Sequence, residues 1–254
     1  MSELLVQEKE VVIPGQILAK GMDFLPAHGT FREEDNIISS MVGLVNLNGR
    51  LIKIIPLTGP YIPRRDDVVI GKVVDIGPWG WRVDIRWAYQ AMLSLKDATQ
   101  EFIERGTDLT QFYNIGDILM VRIVNVSGSK VIDLGMKGPG LRKLTEGRMI
   151  QITPSKVPRL IGKQGSMITM IKDKTETRIL VGQNGNVWIS GMDPVKEKVA
   201  VDAIDIIDKE SQSEGLTDSI EKFLNDKLGI KKEKKVEEKK EEIKEEKESK
   251  KKEK

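Results

Sequence analysis

Residues 159–168 read RLIGKQGSMI: Gly162 and Gly165 bracket Lys163 and Gln164, with Leu160-Ile161 before them and Met167-Ile168 after. Two glycines in four residues admit two explanations. One is steric, a tight turn whose backbone needs positive φ. The other is chemical, a main chain without Cβ atoms against which a ligand can lie, with Lys163 adding positive charge. Other chemistry-bearing residue types are sparse. There is no cysteine, which removes disulfides, thiol nucleophiles and thiolate-held zinc, and His28 is the single histidine. Glu33-Glu34-Asp35 and Asp66-Asp67 are runs of acids. Consecutive acids do not converge on one ion from an ordinary turn, so both read as solvated. No P-loop, G-x-S-x-G or H-E-x-x-H pattern occurs. The residue types point to binding rather than catalysis, with no cofactor and no metal.

The chain has 254 residues, enough for two or three small domains, and a net charge of +2. That charge is unevenly placed: residues 231–254 hold twelve lysines and nine glutamates, so the remainder is nearly neutral. Contact with a polyanion must therefore come from local patches. The N-terminus MSELLVQEKE does not read as a secretory signal, and no stretch is long and apolar enough to span a bilayer. A soluble, cytoplasmic protein without a membrane partner is expected.

Four regions position these residues. Residues 1–60 read as a small β-rich domain of short strands. Its clearest hairpin joins Leu44–Leu47 to Arg50–Ile55 through Asn48-Gly49, a pair suited to a type I′ turn. Residues 61–140 read as five strands. Asp67–Ile76 is the first, Gly77–Gly80 a turn, and Trp81, Val83 and Ile85 alternate with Arg82, Asp84 and Arg86 in the second. Ala91–Leu95 is the third, a partly helical link covers 96–114, and two strands flank Ser127–Ser129. A longer link after the third of five strands is the order of an OB-fold barrel. Residues 146–210 read β-α-α-β-β-α, with Asp193 capping the last helix and Pro194 at its first position. Residues 211–254 read as a helix near Asp218–Lys227 followed by a Lys/Glu tail too poor in apolar residues to order itself.

A G-x-x-G turn between the first two helices of β-α-α-β-β-α is the KH-domain pattern. The candidate RNA-binding residues there are Arg159, Gly162, Lys163, Gln164 and Gly165. The second helix starts at this turn, so its free N–H groups face a phosphate. Leu160, Ile161 and Ile168 are expected to form an apolar wall for bases. The unit at 61–140, through "VVIGKVVDIGPWGWRVDI" and "YNIGDILMVRIVNV", resembles the S-one RNA-binding domain, an OB-fold. Its candidate contacts are Trp79 for stacking and Arg82, Arg86, Arg122 and Lys130 for phosphates. Trp81 reads as core.

A β-rich domain, an S-one domain and a KH domain in this order resemble the RNA-binding cap subunits of the archaeal RNA exosome. "VIPGQIL", "HGTFREEDNIISSMVGLVN", "YIPRRDDVVIGKVVDIGPWGWRVDI" and "LIGKQGSMI" carry the resemblance, over about residues 5–210. It implies a non-catalytic RNA-binding subunit of an exoribonuclease complex. Three copies, or a mixture with a second, zinc-ribbon cap protein, would sit on a hexameric phosphorolytic ring. The N-terminal domain would dock on the ring, with the S-one domains around the channel entrance and the KH domains at the periphery. Such a cap binds RNA, favours adenine-rich strands and feeds 3′ ends inward. The alternative is a free-standing RNA-binding regulator made of the same modules.

Overall fold

The structure is a computed structural model and describes residues 2–99, 107–211 and 215–229. The expected tail beyond the last helix lies outside these residues.

Eight short strands build the N-terminal domain: β1 (Glu3–Leu4), β2 (Val11–Val12), β3 (Ile17–Lys20), β4 (Leu25–Pro26), β5 (Thr30–Glu33), β6 (Asn36–Ser39), β7 (Gly43–Asn48) and β8 (Leu51–Pro56). They form two four-stranded sheets, ordered β1-β3-β6-β5 and β2-β7-β8-β4. Between them lie Val12, Leu18, Ile37, Val45, Ile52 and Ile54, all buried. The β7–β8 hairpin forms where the sequence places it, but its loop is one residue further on. Asn48 pairs with Leu51, so the loop is Gly49-Arg50, and of these only Gly49 has positive φ, at 61°. A type I′ turn would need positive φ at both. The core sets this register: Val45 lies opposite Ile54 and Leu47 opposite Ile52, and a slip of either strand by one would turn its pair toward solvent.

The second unit closes into a barrel of β9 (Val68–Gly77), β10 (Gly80–Asp84), β11 (Ala91–Ser94), β12 (Ile118–Val126) and β13 (Ile132–Gly135). β9 pairs with β10 and β12, β10 with β11, and β12 with β13; a parallel β11–β13 pairing closes the ring. This is the five-stranded OB arrangement. The alternation read in β10 is observed, with Trp81 and Val83 fully buried and Arg82 and Asp84 exposed. Trp81 donates its indole N–H to the Tyr113 carbonyl at 2.9 Å and meets the Tyr113 ring edge-on at 5.1 Å. That contact ties the link after β11, which begins with α1 (Leu95–Ala98), back onto the barrel. One further strand, β14 (Arg142–Leu144), adds to the β12 side and was not read from the sequence.

The third unit has the expected order: β15 (Arg148–Gln151), α2 (Val157–Ile161), α3 (Ser166–Thr175), β16 (Arg178–Val181), β17 (Asn186–Ser190) and α4 (Pro194–Lys209). Its antiparallel sheet runs β15-β17-β16. Asp193 caps α4, accepting from the Val195 N–H at 2.8 Å. A fifth helix, α5 (Leu216–Leu228), belongs to this body. Leu216, Ile220 and Leu224 recur every four residues and are buried with the helices α3 and α4.

β17 explains how the second and third units join. Val187 and Ile189 face the helices, while Trp188 on the opposite face packs on Ile70 of β9 and Leu144 of β14. The strand is thus buried on both faces, which gives its near-continuous apolar run a reason.

Candidate nucleic-acid interface

The G-x-x-G turn lies between α2 and α3, as expected. Gly162, Gln164 and Gly165 all have positive φ, at 75°, 52° and 81°. The two glycines are needed for different reasons. A Cβ on Gly162 would stand 2.8 Å from both the Cβ and the N of Met167, so its absence is demanded by the fold. A Cβ on Gly165 would meet only the Thr169 hydroxyl oxygen, at 3.9 Å. Gly165 therefore faces open space, and its bareness leaves room for something outside the chain. Behind it α3 begins with no side-chain cap, so the positive end of its dipole faces the same side. Lys163 and Gln164 stand exposed on the turn and Arg159 on α2. The apolar wall is not as expected. Leu160 is fully buried and Ile168 is 9% exposed, both within the core shared with α4, and Ile161 is partly buried. They hold the turn from behind, because the helical repeat that brings them near it also turns them inward.

On the barrel, Trp79 is 64% exposed in the β9–β10 turn and Lys130 is exposed in the β12–β13 turn at a positive φ of 66°. Both keep a geometry open to a strand of nucleic acid. The arginines differ. Arg82 is ion-paired with Asp75 at 3.3 Å, and the cross-strand row continues through Met92 to Asp133. With Asp84 also exposed, opposite Lys72, this face carries three carboxylates to two cations, and its own charge does not attract phosphate. Arg86 donates to the Ile152 carbonyl at 2.8 Å, a bond that crosses from barrel to KH unit. Arg122 is half-buried beside the β13–β14 loop. The expected phosphate ligands thus do not gather on one patch.

One constellation at this joint was not read as functional: the loop Gly182-Gln183-Asn184-Gly185. Asn184 is fully buried and donates to the Ile70 and Ile85 carbonyls, both at 2.8 Å, while its side-chain oxygen accepts from the Ile70 N–H at 3.3 Å. Asn186 adds a bond to the Ile70 carbonyl at 2.7 Å, and the Gln183 N–H donates to the Val68 carbonyl at 2.9 Å. The only sequence signal was Asn184-Gly185, which reads as a turn. The structure uses it as a clamp on β9.

All three units meet at a cleft of about 320 Å³ lined by His28, Met41, Tyr61, Arg64, Asp67 and Pro158 among others. Tyr61 donates to the Asp67 carboxylate at 2.6 Å, and burial, then that carboxylate, push the phenol well above its usual range. Burial, then the Arg64 charge, lower the His28 pKa. Among the described residues no three His, Asp or Glu side chains gather closely enough to hold a metal ion. No helix among them is long and apolar enough to cross a membrane.

Comparison with known proteins agrees with this architecture. Residues 11–48 match the family model described as the exosome complex exonuclease RRP4 N-terminal region, and residues 147–195 match that of the KH domain. The chain is 46% identical to the exosome complex component Rrp4 of Thermococcus kodakarensis over 239 residues, 93% of each chain. It is 45% identical to the same component of Methanothermobacter thermautotrophicus, over 92% of this chain and 74% of that one. Among solved structures, one assigned to an exosome complex RNA-binding protein superposes with a TM-score of 0.63 at 34% identity, covering 68% of this chain and 99% of the other. Identity at this level, across 93% of both chains in the first case and 74% of the relative in the second, leaves one conclusion: the chain belongs to the family of exosome complex component Rrp4.

Proposed function

We propose that this chain is a non-catalytic RNA-binding subunit that caps the phosphorolytic ring of an exosome and guides RNA 3′ ends into the channel. The observation that carries the reading is an outward-facing Gly165 at the start of α3, on a KH unit clamped to an OB barrel, in a chain of the Rrp4 family. The names of its relatives, an exosome component and an RNA-binding protein, support the same role. The N-terminal domain offers a surface for the ring. On the outer face of the β2-β7-β8-β4 sheet, Val11 lies opposite Leu44 and Leu44 opposite Ile55; Val11 and Ile55 are 57% and 49% exposed. Ile13 and Val42, also exposed, extend the patch, and contiguous exposed apolar residues of this kind mark protein contacts.

Size-exclusion of the chain with and without the catalytic ring subunits tests assembly. Co-elution is expected, and Ile55→Glu should abolish it while RNA binding persists. Independent elution of the native chain, still binding RNA, would favour the free-standing regulator.

A further inference from the structure

We propose that Arg122, together with the Lys137–Arg142 loop, forms a binding site for a phosphate of the RNA backbone at the seam between barrel and KH unit. The inference rests on the RNA-binding reading above and places a contact within it.

Arg122 lies on β12 between Val121 and Ile123, which point into the barrel, so its own side chain points outward. It sits across from Val68 on β9 and Gly135 on β13, two residues beyond Met120, which packs in the seam with Trp188. Two described arginines are half-buried, Arg32 and Arg122. Arg32 donates to the carbonyls of Gly21 and Phe24. The Arg122 side chain has no hydrogen-bond or ion-pair partner among the described residues, and its Nε is wholly shielded from solvent. Shielding a guanidinium N–H without an acceptor is destabilising, and folds supply a partner in nearly every case. Here the described residues supply none, and the Nη atoms, not shielded as the Nε is, are left to an acceptor from outside.

The surroundings define that ligand as an anion on an extended chain. The loop over Arg122 reads Lys137-Gly138-Pro139-Gly140-Leu141-Arg142, and a Cβ on Gly138 would lie 3.8 Å from the Arg122 Nη2. Gly140 has a φ of 79° and open space where its Cβ would be, so the main chain of this loop is bare there. Lys137 and Arg142 are exposed, while Lys143 is neutralised by Asp117. Two available cations, a bare glycine loop and an arginine lacking its acceptor match a phosphodiester, which offers two oxygens to the planar fork. The acid-rich barrel face then has no need to attract phosphate itself.

The test compares Arg122→Met and Arg122→Lys with the native full-length chain, by fluorescence anisotropy on a single-stranded oligoribonucleotide across a salt series. Arg122→Met should weaken binding roughly tenfold at 0.1 M salt and reduce the slope of log affinity against log salt by about 0.7. The same variant should melt a few degrees higher, since it removes an unpaired charge from a half-buried position. Arg122→Lys should recover part of the affinity. Native affinity and slope in Arg122→Met overturn the inference, as does a lower melting temperature with unchanged binding, which marks a structural arginine. Millimolar inorganic phosphate at constant ionic strength separates the sources of the anion. A backbone site leaves native RNA affinity unmoved, whereas competition that disappears in Arg122→Met assigns the site to free phosphate and overturns the RNA assignment. Loss of ring association with native RNA binding places a partner's carboxylate there and also overturns it. Failure of the native chain to bind any RNA would instead sink the broader functional reading.

Discussion

At the scale of single residues, the two glycines of the G-x-x-G turn make opposite predictions. Gly162→Ala forces a Cβ into Met167 at a backbone φ of 75° and should destabilise the KH unit by about 1–3 kcal/mol, measured by urea denaturation. Gly165→Asp enters open space at an αL position that Asp tolerates better than most residues. It should leave the melting temperature within a few degrees of native while weakening RNA binding through its charge; native affinity in the folded variant would make the turn purely structural. The sequence could pose the alternatives of steric need and bare surface but could not divide them, because the division depends on Met167 lying behind one glycine and nothing lying in front of the other. His28 gives a second residue-scale test. Its folded pKa lies below the unfolded value of about 6.5, so the unfolded chain takes up the proton first as pH falls. The neutral-His28 contribution is therefore fully present above that value and is lost as pH drops through it toward the lower folded pKa. His28→Gln should flatten the fall in melting temperature between pH 7 and pH 5; an unchanged slope would assign acid sensitivity elsewhere.

At the scale of elements, the legible features were those with a local cause. Alternation fixed β10 and the Asp193-Pro194 pair marked the start of α4, while α5 was read as a helix near Asp218–Lys227 and starts two residues earlier, at Leu216. What escaped depends on partners distant in the chain. The Asn48-Gly49 pair suggested its own turn, yet the core across the hairpin set the register. Arg82 had the position of a phosphate ligand, but the row beside it is acidic, and Asp75, its partner, belongs to another strand. Arg82→Ala should accordingly change RNA affinity by less than about twofold, since an exposed pair of this kind contributes little; a tenfold loss would restore it as a ligand. Asn184 looked like a turn residue and clamps two barrel carbonyls 99 and 114 positions away. Asn184→Ala strips its donor from the Ile85 carbonyl and its acceptor from the Ile70 N–H, and leaves the Ile70 carbonyl to Asn186 alone among the loop side chains. It should remove roughly 2–4 kcal/mol and split a single denaturation transition into separate barrel and KH steps. One unshifted transition would show that the apolar contacts around Trp188 suffice.

At the scale of the whole molecule, the order of domains was readable because each unit carries its own periodicity, whereas their joints were not, because joints are made by residues that look like loops. If the chain tethers RNA at a channel mouth, adding it to the catalytic ring should speed decay of long RNA more than of fragments too short to touch the cap, since tethering raises the local concentration of the 3′ end. A time course on both lengths, ring alone against ring plus this chain, checks this, and equal stimulation would point to an effect on the ring itself.

The clamp of Gln183, Asn184 and Asn186 on β9, with Trp188 wedged behind it, bears on mechanics as well as architecture. If barrel and KH unit both grip RNA, as proposed, a strand drawn by its end pulls on the two together. A hinge between the two gripping units would let them yield in turn, so the strand would slip from one and then the other. A joint held by several short bonds at neighbouring residues shares the tension among them, and barrel and KH unit take the load as one stiff lever. Release of the strand then becomes a single event, and its dwell time under load should rise steeply with the number of nucleotides that span both grips.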